Sequence, residues 1–521
     1  MIWIKRILGT LAVVLLNTAT LSNAAEPSTS IVRLHFIGAN QLLWNTNAAK
    51  LKKIWELPQT AQMQSNVLEK TATALGQSFF QPTATNDTNQ QALIYPLLED
   101  LLHHESILEL RGDELPCLNV AVQIDATRSA FWSSNLTTLS RGKDAKIKKD
   151  NTWSARLSPG VLLSFDRKDT WTVVTIGSAT ESEQFVSNFR KKEFSLQKTN
   201  WLEGNVNWAR LQQAMGFSIP FKFDETEFAL AGKADDLFTT VRIRFPEPFG
   251  WTSEPWHVPS VIRDPLVSFT ASQPLAGFCK TSKLFEQVGL NPFTRQFYFW
   301  AQADLPFQTF GALQSRDVTN EIKTISPKLA AAVNPTLSER HSGQLFWNAD
   351  RNELAWTNAH MMSPYLRPFS DSSGQFIVSG LFPRAPQSSP PPKTLFDHIT
   401  SNSKLVYYDW EITQNRIGHW DMLTRVLPVF SPETITNAVR PLRVTRNSKS
   451  PAHLWIREIA ALLGNTVTEV TVTGPNELTL KRKSHSGFTG MELVYFAGMA
   501  DEKDFPLFGR KWLGTGSSKT K

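Results

Sequence analysis

Cysteine is almost missing from this chain: Cys117 and Cys279 are the two present in 521 residues. That excludes a small disulfide-stapled scaffold, because such folds need several bridges in place of a core. In an oxidising compartment the two can pair and tie the halves of the chain together, but a core of this size does not depend on the link. Long apolar runs are also missing. Beyond the N-terminal segment no stretch of eighteen apolar residues occurs, so no later membrane-spanning helix is expected. Catalytic signatures are equally scarce. No G-x-S-x-G elbow supports a serine hydrolase of that architecture, and no H-E-x-x-H or H-x-x-x-H spacing offers a pair of metal ligands. Charge of one sign is in short supply too: the formal net charge is +7, a mild excess that gives no reason to expect a nucleic-acid partner.

The composition that is present, 41% hydrophobic and 19% charged, belongs to a globular protein with enough apolar material for a large core. A chain of this length predicts two domains at roughly 100–200 residues each. Lys5 and Arg6, the apolar run Ile7–Leu16 and the small-residue site Ser22-Asn23-Ala24 form the three parts of a secretory signal. An exported protein, periplasmic or secreted, is therefore expected, released by cleavage after Ala24 or Ala25.

The stretch from Lys404 to Leu427 reads as one strand running into one amphipathic helix. Leu405 and Tyr407 are expected on one strand face, with Val406, Tyr408 and Trp410 on the other. Ile417, Trp420, Leu423 and Leu427 then recur at three- and four-residue steps, marking one helical stripe. Comparable handovers follow Ile31, Trp201 and Leu266, the second with Asn207 placed as an N-cap before Trp208, Leu211 and Met215. Leu93–Leu110 reads as a helix, and Ala130–Trp132 and Met491–Phe496 read as strands.

Four handovers predict an internal duplication. Pro246, Pro248, Pro255, Pro259 and Pro265 mark the connection, since proline neither continues a helix nor donates to a ladder. The expected fold is α+β, in two similar halves, each a mainly antiparallel sheet with helices packed on one face. Residues 1–24 are the signal peptide, 25–245 the first half, 246–265 the proline-rich connection, 266–512 the second half and 513–521 a flexible tail.

Asp409 and Glu411 lie two apart on the anchoring strand, which puts both carboxylates on one face about 7 Å apart. Separations of roughly 5 to 9 Å serve acid and base in glycoside hydrolysis. The competing reading places them at an exposed strand end beside a helix N-terminus, which favours negative charge. Glu99, Asp100, His103, His104 and Glu105 form the densest group of metal-ligand types, but adjacent histidines diverge on a helix and the intervening leucines assign the other face to the core. A solvated helix face is expected there. The basic runs 141–149, 440–449 and 481–483 are expected as solvated loops or lysine-bearing strand edges, with adhesion to an anionic surface as a further possibility. Seventeen tryptophans and 33 phenylalanines are mostly core, with Trp251 and Trp256 as candidates for stacking sugars.

The local run YYDWEI resembles the end of the catalytic strand motif D-x-x-D-x-D-x-E of the chitinase-like glycosidases. Its final Asp-x-Glu is present, while the earlier aspartates are missing from the stretch that holds Leu405, Val406 and Tyr407. That resemblance implies glycoside hydrolysis by Asp409 and Glu411. The opening segment, Leu34-His35 through Ile54-Trp55-Glu56-Leu57-Pro58, resembles a family of uncharacterised exported bacterial proteins, which implies no particular chemistry. The expected function is an exported, non-enzymatic binding or scaffold protein, with a hydrolase acting on a glycan or cell-envelope polymer as the alternative. No catalytic residue is assigned, and no cofactor or metal is expected. A glycan or cell-envelope component is the expected partner class.

Overall fold

The computed structural model describes residues 30–80, 87–112, 117–140, 146–147, 152–178, 185–187, 200–215, 223–274, 289, 294–302, 308–339, 341, 343–358, 363–382, 389–430, 450–502 and 505–506. Among them are twenty strands. The first ten are β1 (Ser30–Phe36), β2 (Ser106–Arg111), β3 (Cys117–Gln123), β4 (Lys146–Ile147), β5 (Trp153–Ser158), β6 (Val161–Lys168), β7 (Trp171–Gly177), β8 (Leu202–Asn207), β9 (Glu225–Lys233) and β10 (Asp236–Arg244). The others are β11 (Leu266–Ser272), β12 (Phe297–Gln302), β13 (Thr309–Ser315), β14 (Gln344–Asn348), β15 (Glu353–Thr357), β16 (Tyr365–Asp371), β17 (Gly374–Gly380), β18 (Leu405–Ile412), β19 (Asn465–Gly474) and β20 (Glu477–Ser484).

Every pairing is antiparallel. Neighbours run β4-β5-β6-β7-β3-β2-β1-β8-β9-β10 and continue as β20-β19-β18-β11-β12-β13-β17-β16-β15-β14. The α+β class stands, but the expectation of a separate sheet in each half is corrected. One sheet threads both parts of the chain, joined where β10 pairs with β20 from Leu237↔Ser484 to Arg244↔Glu477. The free backbone groups along the edge of β10 are satisfied by a strand more than two hundred residues away, and no edge is left exposed there.

Eleven helices are described: α1 (Ala39–Trp44), α2 (Ala49–Trp55), α3 (Pro58–Phe79), α4 (Asp87–His103), α5 (Ala126–Ser140), α6 (Trp208–Met215), α7 (Val318–Glu339), α8 (Lys393–Ser401), α9 (Thr413–Phe430), α10 (Pro451–Ala460) and α11 (Gly490–Asp501). Directly opposite residues of an antiparallel pair share a face, so the register can be followed across the sheet. One face carries His35, Glu203, Ala229, Thr240, Lys481, Glu469 and Tyr408 in successive strands; the other carries Leu202, Leu230, Thr239, Arg482, Thr468, Asp409 and Thr270.

Most of the described helices lie on one face, as expected from sequence, and α8 is the exception on the other. On the His35 face, α8 sets Phe396 and Ile399 into a core with Phe269, Tyr298, Phe376 and Tyr408. On the Asp409 face, α5 seals Leu163, Phe165 and Val174, and α9, α10 and α11 pack with α3 through Met63, Ile417, Trp455, Ile459 and Leu493. Each face has its own apolar stripe, and each stripe needs its own cover.

Local differences from the sequence reading have local causes. Helix α4 stops at His103 and Ser106 already belongs to β2, so the apolar stretch read as a single helix to Leu110 is split. The segment around Ala130–Trp132 is helical, with Trp132, Leu136 and Leu139 on the buried side. Asp125 Oδ1 accepts from the Arg128 N–H at 2.8 Å and caps that helix start. Met491–Phe496 is also helical: Thr489 and Glu492 close a capping box at the start of α11. The Asn207 cap is found as expected, accepting from the Arg210 N–H at 3.0 Å. In β18 the register shifts between Leu405 and Tyr407, and Leu405 joins the core of Tyr408 instead of the Tyr407 side. A one-residue irregularity of this kind reverses alternation.

Candidate functional site

Strand β18 brings Asp409 and Glu411 to one face, as the spacing predicts, but not to an exposed end. Glu411 is 4% exposed. Its Oε1 accepts from the Gly490 N–H at 2.6 Å, at the first turn of α11. The partly positive helix N-terminus thus faces the carboxylate, though the helix concerned is α11 and not the α9 that follows β18 directly. Asp409 Oδ1 accepts from Thr270 Oγ1 at 2.6 Å. Arg482, on β20, donates to Thr468 Oγ1 at 2.9 Å, to the Gly487 carbonyl at 3.0 Å and to both oxygens of Glu492 at 2.7 and 3.0 Å.

The electrostatics follow from burial. Loss of water pushes the Glu411 carboxyl up to about 7, with Asp409 adding in the same direction. Burial also raises Asp409 and lowers the neighbouring Arg416. Burial and the Arg416 charge pull His419 down to about 4. For Arg482, burial acts downward but the Glu492 carboxylate more than offsets it. Neither carboxylate of the pair lines either of the two clefts described below. A polar network locks β18, β20 and α11 together.

The opposite face has a different character. His35 Nε2 is 3.0 Å from Glu105 Oε1, and Nδ1 is 3.4 Å from Glu203 Oε1. Burial lowers this imidazole, but the two carboxylates raise it further and leave a net upward shift. Farther along, Arg244 reaches Glu225, Glu227 and Glu477 at 3.1 to 3.6 Å, and Arg242 reaches Glu227 and Glu477 at 3.5 Å. These pairs satisfy one another and leave few free charges.

Of two clefts, the second lies on this face; the first sits at the β9–β10 hairpin end beside α1, where Trp201 packs with Leu42, Leu230 and Leu237. The first, about 600 Å³, is lined by Ile37, Gln41, Asn45, Asn47, Trp201, Ala231, Gly232, Lys233 and Phe238. The second, about 570 Å³, lies under the start of α8, where Tyr408 and Trp410 meet His398 and Glu469. His398 Nε2 is 2.7 Å from Glu469 Oε1, and its ring lies 5.4 Å from that of Tyr408.

The floor of the first cleft depends on a missing side chain. A Cβ at position 232 would overlap the six-membered ring of Trp201, so only glycine lets that indole lie against β9. Gly232→Ala is expected to cost about 1–3 kcal/mol, the range for overpacking a filled site, and to deform the cleft. A urea-unfolding midpoint indistinguishable from the parent's would contradict that placement.

The other residues singled out from sequence do not converge. Asp100 is buried and accepts from Arg128 Nε and Trp132 Nε1, both at 2.7 Å through Oδ2, which corrects the solvated face expected there. Glu105 turns to His35. No group of three or more possible metal ligands occurs among the described residues. Trp256, 9% exposed, packs in the Tyr298 core, and Trp251 packs beside Phe245, Val406 and Leu478; neither forms an open platform. Lys481 and Lys483 are exposed, but Arg482 between them faces inward. The basic segments 141–145, 148–149 and 440–449, Cys279 and the tail after residue 506 lie outside the described residues. Sequence reasoning missed Trp44, 90% exposed at the end of α1, and Phe238, 39% exposed. Exposure of an aromatic residue in an apolar segment leaves no mark in composition or periodicity.

No protein-family profile and no curated protein matches the chain. Among solved structures, crystal form III of TP0453 aligns with a TM-score of 0.25 at 11% identity, over 43% of this chain and 80% of that one. Crystal form IV of the same protein gives 0.24 at 11%, over 42% and 78%. A superposition at that level bears on neither fold nor activity.

Proposed function

We propose that this is an exported, non-enzymatic binding protein whose ligand seats are its two surface clefts. The observation that carries the reading is a contrast in access. The carboxylate pair of catalytic type is buried against α11, whereas the two clefts, each with aromatic rings and hydrogen-bonding side chains, are open and lined by neither carboxylate. Clefts of this kind are the usual seats of small ligands. Export rests on the tripartite N-terminal segment, and its test is the mass of protein recovered outside the cytoplasm, which should begin at Ala25 or Glu26.

The body carrying these clefts is proposed to be two copies of one unit. Adding ten to each strand number of the first ladder reproduces the second ladder read inward from its far edge. Helix α5 lies between β3 and β4, as α7 lies between β13 and β14. An experimental structure in which strands of one ladder lack their counterparts at the same rung would overturn this.

Soluble fragments of bacterial cell-envelope glycans should raise the unfolding temperature and alter tryptophan emission without being consumed. Release of shorter sugars, abolished in Glu411→Gln, would instead support hydrolysis and defeat the non-enzymatic reading.

A further inference from the structure

The chemistry of the first cleft narrows the ligand beyond what the proposed binding function states, although it rests on that reading. Asn45 Oδ1 accepts from the Asn47 N–H at 2.9 Å, and Asn47 Oδ1 accepts from the Ala234 N–H at 3.1 Å. Both carboxamide oxygens are therefore engaged in holding the loop, which fixes the orientation of the amides and leaves their Nδ2 donors for a ligand. Gln41 adds a third carboxamide, and no carboxylate lines the cleft. A ligand matched to this wall presents carbonyl and hydroxyl oxygens; an ammonium ligand would find no countercharge.

The apolar part is equally specific. Ile37 and Ala231 give the cleft an aliphatic wall, and Phe238 is 39% exposed at its side. Trp44 follows Gln41 by three residues on α1 and so projects from nearly the same helix face. It is adjacent in sequence to the lining residue Asn45, yet 90% of it meets solvent. A tryptophan so exposed beside amide donors fits a flat ring whose carbon face is apolar and whose edge is polar, the description of a pyranose.

We infer that the cleft between α1 and the β9–β10 hairpin binds an N-acetylated oligosaccharide. Its pyranose faces stack on Trp44 and Phe238, its acetamido carbonyl accepts from the Asn45 and Asn47 amides, and its acetamido methyl rests against Ile37 and Ala231. Lys233 donates to a ring hydroxyl at the rim.

The test is calorimetric titration of the full chain with chitotetraose, with cellotetraose as the analogue lacking the acetamido group. Chitotetraose should bind saturably, and cellotetraose about tenfold more weakly, as expected when a hydrogen-bond donor of the site loses its acceptor. Trp44→Ala and Phe238→Ala should each weaken chitotetraose by about tenfold or more, in line with lost stacking, while Trp44→Phe retains most of the affinity. Because Trp44 is 90% exposed, its replacement tests binding more than folding. His398→Ala, in the other cleft, should leave the affinity unchanged.

Absence of chitotetraose binding at millimolar concentration overturns the inference. So does equal binding of cellotetraose, or loss of affinity in His398→Ala with none in Trp44→Ala; in that last case the protein is still a binder and only this seat is wrong. Conversion of chitotetraose to shorter sugars would defeat the non-enzymatic reading, while a Trp44-dependent affinity would keep the seat.

Discussion

Arg482→Leu is expected to destabilise the protein by about 3–5 kcal/mol, the usual cost of removing one partner from a buried ion pair. The guanidinium joins three elements at once: β19 through Thr468, the β20–α11 loop through the Gly487 carbonyl, and α11 through both oxygens of Glu492. Leucine fills part of the space and supplies none of the donors. Glu492 would keep its place in the capping box with Thr489 but lose its countercharge, and Asp409 would lose the nearby cation that opposes its upward shift. The control is the next position. Lys483 is 54% exposed and pairs with Asp236 at 3.1 Å, so Lys483→Leu should cost no more than about 1 kcal/mol, as exposed pairs do. Urea unfolding followed by circular dichroism separates the two variants, and a loss at Arg482 no larger than at Lys483 would remove the network from its assigned role.

The second large effect depends on pH. Glu411 is held at about 7 in the folded protein, against an ordinary value of 4.5. The folded state therefore keeps a proton over an interval in which the unfolded chain has released it. Stability then falls as pH rises from about 4.5 through 7, because the native state binds more protons there. Glu411→Gln abolishes that term while its side-chain oxygen can still accept from Gly490. At pH 8 the variant should be more stable than the parent by on the order of 3 kcal/mol, the equivalent of the full shift, and near pH 4 the two should coincide. Asp409, also raised by burial, leaves a residual slope in the variant. A parent whose stability is flat between pH 5 and 8 would contradict a buried, proton-holding Glu411.

Much of this architecture could be read from local pattern. The handover at Lys404–Leu427, the Asn207 cap and the strands on either side of the β19–β20 turn rest on alternation, helical spacing and capping chemistry, all of which act within a few residues. Met491–Phe496 was legible too, through the T-x-x-E signature of Thr489 and Glu492, but its β-branched and aromatic residues read more strongly as a strand. What local pattern does not carry is pairing between distant strands. Nothing in Asp236–Arg244 names Glu477–Ser484 as its neighbour, so a single continuous sheet was out of reach. The same limit applies to the candidate sites. The spacing of Asp409 and Glu411 placed them on one face correctly, but the N–H that Glu411 accepts from belongs to α11, eighty residues later. Trp44 looked like any other aromatic residue until its neighbours were known.

The join between β10 and β20 has a consequence for biosynthesis. Leu237 waits for Ser484, so while the polypeptide is still emerging, the β10 rim is a bare row of amide donors and carbonyl acceptors. Such a rim readily recruits stray strands from other molecules. Closing it requires nearly the entire chain, and long-separation pairing of this sort is slow to form. The interval before closure is when a growing molecule is most prone to aggregate, and Asp236, Arg242 and Arg244 on that strand supply charges that oppose it.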